Sequence, residues 1–203
     1  MLGLDRLLIL ARRLARLGVW FGGGLLVIAS FIIGVDVVIR KLFGISIGGA
    51  DELSGFALAI GSAWAFGFTL LDRGHVRIDS LYVVLPTRIC AVLDIFGLLA
   101  LTTFFSLVAW YGFGAFSQSF ALNAHTMSPL ATPLIYPQFL WVLGLGWFVV
   151  IAVLLLGRAM MALILGDMNT VQRLIGSRTV VQEIDDELRG LEHGDGPTSG
   201  GKR

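Results

Sequence analysis

The sequence has 203 residues, of which 56% are hydrophobic and 14% are charged, and its mean hydropathy is +0.85. This composition excludes an ordinary soluble domain and indicates structure that faces lipid. The formal net charge is only +1, and the basic residues form no broad patch with interleaved aromatic side chains. A nucleic-acid-binding role is therefore excluded as well.

Four stretches of the chain are apolar enough to cross a bilayer, which takes about 20 residues in a helix. Each link between them contains Gly, Pro or charged residues that end helices. Backbone groups in lipid must be paired internally, and the alternation typical of barrel strands is missing. We therefore predict an all-α, integral membrane four-helix bundle, with helices at about 17–39, 53–71, 89–113 and 139–157.

The regions that flank the bundle differ from it in composition. Residues 1–16 are basic, and residues 7–17 and 167–190 mix apolar and charged side chains. This pattern predicts interfacial helices that lie along the membrane beside a transmembrane domain at 17–166. The first apolar run shows no cleavage site, so we expect it to stay uncleaved. Residues 191–203 cannot bury a core and are predicted to be disordered.

Positive charges are distributed unequally between the two sides of the predicted bundle. The N-terminal segment, the 72–88 loop and the tail hold most of the Lys and Arg, and all three fall on one side. The other side has Arg40 and Lys41, and its 114–138 loop has no Lys, Arg, Asp or Glu. The positive-inside rule predicts that both termini lie in the cytoplasm. We expect a multi-pass protein of the bacterial inner membrane.

Three charged residues lie within or at the edge of the predicted helices. Asp36 precedes Arg40 by four residues, which favours an ion pair on one helix face. The alternative is that Asp36 is a proton or cation site, because intramembrane carboxylates are often functional. Asp94 has no cation one turn away, so we expect it to contact water, another helix or a second chain. Arg158 is expected to extend toward the headgroups.

The second predicted helix carries Ala57, Gly61 and Ala65 at four-residue spacing. Small residues let helices approach closely in lipid, so this face would serve either the bundle itself or a partner.

Motifs for cofactors and catalysis are missing from the sequence. The histidines lie in predicted loops and in the tail, where they do not form the paired ligands of a membrane haem. There is no phosphate-binding loop and no common hydrolase or zinc motif. We therefore expect a protein that is not an enzyme and that holds no cofactor or metal.

Several short motifs occur in a characteristic order. The first helix ends with an Arg and a Phe, a Glu-Leu pair opens the second helix, and a small residue lies within it. A Gly-His-hydrophobic-x-hydrophobic-Asp motif follows in the next loop, and the Pro-rich SPLATPLIYPQ precedes the fourth helix. The residues are Arg40, Phe43, Glu52, Leu53, Gly61, Gly74, His75, Asp79, Pro129 and Pro133. Their order resembles the small membrane subunit (DctQ-like) of tripartite ATP-independent periplasmic (TRAP) transporters.

The resemblance implies a scaffold subunit. Such a chain would pair one-to-one with a large membrane subunit that holds the substrate and sodium sites, while a periplasmic binding protein delivers an organic acid. It would also give His75 and Asp79 a role in docking or shaping their loop, although a merely solvated loop fits the same residues. One departure from the family is Gly48-Gly49, where a Trp often precedes the acidic pair.

Two other functions fit the residues. The chain would be a stand-alone small transporter or channel if Asp36 were its coupling carboxylate, or a membrane anchor subunit of a respiratory complex. We prefer the scaffold because the predicted bundle contains few polar groups with which to hold an anion and its coupling ions. Membrane lipid is the remaining partner that the sequence predicts.

Overall fold

The computed structural model describes residues 2–46, 48–72 and 86–165. The regular structure in these ranges is helical, and each helix is long and apolar enough to cross a membrane. The predicted all-α membrane fold is therefore confirmed. The helices are α1, Leu2–Phe43; α2, Ala50–Leu71; α3, Thr87–Leu122; and α4, Ile135–Ile164. The predicted segments 167–190 and 191–203 lie outside the described residues.

The helices extend beyond the predicted spans. Residues 7–17, which we expected to form a separate surface helix, are continuous with the rest of α1. No proline interrupts α1, and the side chains of Ala11 and Ala15 are buried in the bundle, so packing keeps the segment in line. The third helix, α3, continues past its predicted end at residue 113 to Leu122. The thickness of the bilayer sets a minimum length for a helix and does not end one.

The helix ends follow local chemistry. After α1, Gly44 adopts a left-handed conformation (φ 68°), and its N–H donates to the carbonyl of Arg40 at 3.1 Å. Asn123 ends α3 in the same way (φ 47°). Gly and Asn are the residues that accept this conformation most readily at a helix C-terminus. Pro137 lies in the first turn of α4, where the missing N–H costs no helical hydrogen bond.

Helix packing follows the order α1–α2–α4–α3, with a weaker contact between α1 and α4. Small residues allow the close approaches. Gly22 of α1 faces Gly61 of α2, and Gly144 of α4 faces Ala63 and Trp64 of α2. The Trp64 indole N–H also donates to the Leu140 carbonyl of α4 at 3.0 Å. The four helices therefore form a layer with α1 and α3 at its edges.

The two ends of the layer differ. Gly48 and Gly49, which precede α2, meet the 123–134 loop at one end, which we call the loop end. At the opposite end, the arginine end, Arg12, Arg13 and Arg16 of α1 are exposed. Toward this end all four helices contribute to one apolar core, which includes Ala15, Leu71, Ala91, Ile95, Phe148, Ile151 and Leu155.

Candidate functional site at the loop end

Asp36 ties the end of α1 to the turn that follows. Its side chain is 2% exposed. The carboxylate forms an ion pair with Arg40, as the four-residue spacing predicts, and accepts a hydrogen bond from Ser46 Oγ at 2.9 Å. Ser46 Oγ in turn accepts from the backbone N–H of Gly48 at 3.3 Å. Because Ser46 follows Asp36 by ten residues, the chain must fold back along the last turns of α1.

These contacts give Asp36 a structural explanation. A buried carboxylate is strongly disfavoured unless a counter-charge and hydrogen-bond donors surround it. The Arg40 guanidinium and the Ser46 hydroxyl supply both, and the Arg40 side chain is itself 56% exposed. The carboxylate thus fixes the direction in which the chain leaves α1.

The loop between α3 and α4 has an internal hydrogen-bond framework. The N–H of Thr126 donates to the carbonyl of Thr132 at 3.0 Å, and the N–H of Thr132 donates to Thr126 Oγ1 at 2.9 Å. His125 and Pro133 form an antiparallel bridge next to this pair. Ala131 closes the turn with a positive φ of 45°. The 123–134 segment is therefore a folded hairpin-like loop.

This loop is attached to the first turn of α2. Ser128 Oγ donates a hydrogen bond to the carboxylate of Glu52, and Thr126 Oγ1 lies 3.1 Å from Ser128 Oγ. The other oxygen of Glu52, Oε1, is buried and has no hydrogen-bond partner among the described residues. The sequence analysis placed Glu52 and Pro129 in two separate motifs. In the structure, the first turn of α2, which carries Glu52, contacts the loop that carries Pro129.

Gly48 and Gly49 receive the tip of the same loop. A Cβ on Gly48 would lie 3.4 Å from Pro129 Cβ, and one on Gly49 would lie 2.2 Å from Leu130 Cδ1. Gly49 also has a φ of 108°, which side-chain-bearing residues rarely adopt. The sequence identified these glycines only as part of the turn between the first two helices and as a departure from the family pattern. Their contact with the loop could not be inferred from spacing, because the partners are distant in the chain.

The chain matches the family described as "Tripartite ATP-independent periplasmic transporters, DctQ component" over residues 10–163. The chain belongs to this family. The match covers nearly all of the described helices and both sides of the loop end. It makes the chain a transporter component and a multi-pass membrane protein, and the family implies the inner membrane. Comparisons with curated proteins and with solved structures give no match.

In this DctQ component the small-residue face of α2 serves the internal bundle. Gly61 is buried against Gly22 of α1, and a Cβ on Gly22 would lie 2.9 Å from the Gly61 Cα. Of the other motif residues, Phe43 is 70% exposed and Leu53 is 39% exposed. Their side chains point outward at the loop end and are available to lipid or to a partner.

The arginine end holds the remaining charged candidates. Arg12 donates a hydrogen bond to the Leu71 carbonyl at 3.1 Å and so caps the end of α2. Asp94 is 2% exposed, and Arg158 is partly buried. Both take part in polar or electrostatic interactions within the protein.

The motif residues Gly74, His75 and Asp79 lie outside the described residues. In the described part of the DctQ component, no group of three His, Cys, Asp or Glu is placed to hold a metal ion.

Proposed function

We propose that this chain is the small scaffold subunit of a TRAP-type secondary transporter. It assembles one-to-one with a large ion-coupled membrane subunit and works with a periplasmic solute-binding protein to import an organic acid. Both termini lie in the cytoplasm in this proposal, so the loop end faces the periplasm. The distribution of Lys and Arg supports this orientation.

The observation that carries the proposal is the use of two carboxylates at the loop end, buried Asp36 and half-buried Glu52. Asp36 is engaged by Arg40 and Ser46, and Glu52 is engaged by Ser128. Elsewhere in the described helices, buried Thr102 bonds the carbonyl of Leu98 in its own helix. A site for an anionic solute and its coupling ions needs several polar groups that converge on one cavity. The groups seen here instead hold helices and loops together.

The outer surfaces of the helices support a partner in the membrane. In an apolar 18-residue stretch of α1, only 17% of the residues are buried within the chain, and the share for the corresponding stretch of α3 is 22%. Large side chains such as Trp20, Phe31 and Trp110 point outward. A subunit that presents wide apolar faces on both edge helices is suited to pack against another membrane protein.

The loop end supplies a surface on the side where a binding protein would arrive. The 123–134 loop carries no Lys, Arg, Asp or Glu, and its internal hydrogen bonds and its attachment to α2 hold it in shape. Met127 is fully exposed there. A preformed and uncharged surface loses little conformational entropy when a partner docks on it.

Purification of the native protein in mild detergent tests the assembly. We expect a many-helix membrane protein to co-purify at one-to-one stoichiometry, measured by the mass of the complex. Sodium-driven uptake should then require the large subunit and the binding protein together in vesicles. Accumulation of a carboxylate by this chain alone would contradict the proposal.

Asp36→Asn separates the scaffold from the stand-alone transporter. In the scaffold, the substitution weakens the loop end but leaves uptake by the complete system intact, because the carboxylate only supports the turn. In a stand-alone transporter that uses Asp36 for coupling, uptake would stop while assembly stayed intact. Ser46→Ala is the matched control, since it weakens the same turn without removing a titratable group.

A further inference from the structure

An apolar groove runs along the outside of the bundle between α1 and α4. Its volume is about 900 Å³, and Trp64 of α2 also lines it. The wall residues are almost entirely apolar, and they come from the helix pair that makes the weakest of the main contacts. They include Leu14 and Phe21 of α1, Trp64 of α2, and Leu143, Trp147 and Val150 of α4.

The position of the groove matches one leaflet of a bilayer. Arg12 bonds the last carbonyl of α2, and Leu14, the first groove residue of α1, follows two positions later. Along α4 the groove extends from Leu140 to Val150, which is about 15 Å of helix. Half of a hydrocarbon layer is also about 15 Å thick. The groove therefore begins at the level of the arginine end, where Arg16 lies between Leu14 and Leu17, and its length along α4 is about that of one set of acyl chains.

The groove is too narrow to enclose a helix. A volume of about 900 Å³ along about 15 Å corresponds to a mean cross-section of about 60 Å². An α-helix with its side chains is about 10–12 Å across, and its cross-section is therefore about 95 Å². A partner helix would enter only in part, whereas flexible acyl chains can fill an irregular apolar groove completely.

Positive charge lies on α1 at the level where the groove begins. Arg13 is exposed and lies about 90° around the axis of α1 from the centre of the groove face, on the side of the groove residue Leu17, which follows it by four positions. Arg16 is exposed at the same level, but it lies about 150° around the helix from the centre of the groove face. Basic residues beside pockets between membrane helices attract anionic headgroups.

We propose that this groove is a binding site for one anionic phospholipid. The acyl chains lie between α1 and α4 and cover the apolar wall from Leu14 to Leu140. The phosphate lies at the arginine end beside the Arg13 guanidinium. The bound lipid fills the gap where α1 and α4 contact each other only weakly and completes the packing of the layer.

Native mass spectrometry of the full chain, titrated with phosphatidylglycerol or phosphatidylcholine in detergent, tests the site. We expect a one-to-one lipid adduct, with phosphatidylglycerol preferred by about five-fold, the effect of one basic residue near a headgroup. Arg13→Gln should remove this preference, and Arg16→Gln should preserve it. Equal effects of the two substitutions, or no one-to-one adduct on the wild-type chain, would overturn the proposal.

Filling the groove tests the acyl-chain part. Gly146 lines the groove, and a Cβ there has no neighbour within 4 Å, so Gly146→Leu should fit the fold and occupy the space of the lipid. We expect at least a ten-fold loss of the lipid-bound fraction. Gly97→Leu on α3 is the matched control, because Gly97 also has open space but lies outside the groove.

Two further outcomes are decisive. If Gly146→Leu unfolds the protein, Val150→Phe fills the groove nearer its arginine end and should give the same loss of lipid. If the wild-type chain carries no lipid and Gly146→Leu instead prevents a membrane protein from co-purifying, the groove is a subunit contact and the proposal is wrong.

Discussion

Gly22→Ala places a methyl group where α1 and α2 approach most closely. The new Cβ would lie 2.8 Å from the carbonyl oxygen of Gly61 and 2.9 Å from its Cα. Both are backbone atoms, so no side-chain rotation relieves the contact. Carbon atoms pack best at about 3.5–4.0 Å, which requires the helices to separate by roughly 0.6–1 Å at this point.

The energetic effect is best measured against a neighbouring glycine. Gly23 lies in the same helix, and a Cβ on it meets nothing within 4 Å. Both substitutions gain about 0.5–1 kcal/mol because alanine favours the helix more than glycine does. Only Gly22→Ala adds the cost of overpacking, which is typically about 1–3 kcal/mol. The difference between the two variants should therefore be about 1–3 kcal/mol, with Gly22→Ala the less stable protein.

Unfolding in mixed micelles, followed by circular dichroism as the mole fraction of dodecyl sulfate rises, measures this difference. Gly61→Ala should fall between the other two variants, because its Cβ would lie 3.1 Å from the Gly22 oxygen. If Gly22→Ala proved as stable as Gly23→Ala, the helices would not be in backbone contact at this position. The close α1–α2 packing described above would then be wrong.

Three further substitutions test the loop end. Arg40→Gln removes the counter-charge of buried Asp36 and should lower the free energy of unfolding by about 1–3 kcal/mol. Asp36→Asn should lower it by less, because no unpaired buried charge remains. Chemical denaturation measures both values. Gly49→Ala combines a disfavoured backbone conformation with a clash against the loop, so hydrogen exchange of 124–134 should accelerate. Gly44 also has a positive φ, of 68°, but lies in open space, so Gly44→Ala should leave that exchange unchanged. Ser128→Ala should lower the free energy of unfolding by about 1 kcal/mol and make the 123–134 loop more susceptible to proteolysis. An unchanged cleavage rate would show that the hydrogen bond from Ser128 to Glu52 of α2 does not hold the loop in place.

The four membrane helices were predictable because their apolar runs are long, but the helix ends were not. A helix continues past the lipid until a residue stops it, as α3 does up to Asn123. The bond between Asp36 and Arg40 was also predictable, since both lie on one helix face. The contribution of Ser46 was missed, because it depends on the chain folding back along α1.

Contacts between distant parts of the chain could not be derived from the sequence. Glu52 and Ser128 are 76 residues apart, and no periodic pattern connects them. The small-residue face around Gly61 was recognised, but its spacing fits a partner as well as a neighbouring helix. Only the position of Gly22 opposite Gly61 decides that this face belongs to the bundle.

The order of the helices connects this packing with the proposed role. The helices are ordered α1–α2–α4–α3 in the layer. In an apolar 18-residue stretch of each middle helix, 33% of the residues are buried, whereas the shares for the edge helices α1 and α3 are 17% and 22%. A single layer in lipid leaves both broad faces of its helices open, and the hydrophobic effect does not close them, because lipid is as apolar as the side chains. The internal contacts are close glycine approaches and one apolar core toward the arginine end, and the polar contacts at the loop end are local. A partner subunit and bound lipid on those faces would therefore add stability that the layer cannot generate alone, which is why a scaffold of this shape should be more stable in its complex than in isolation.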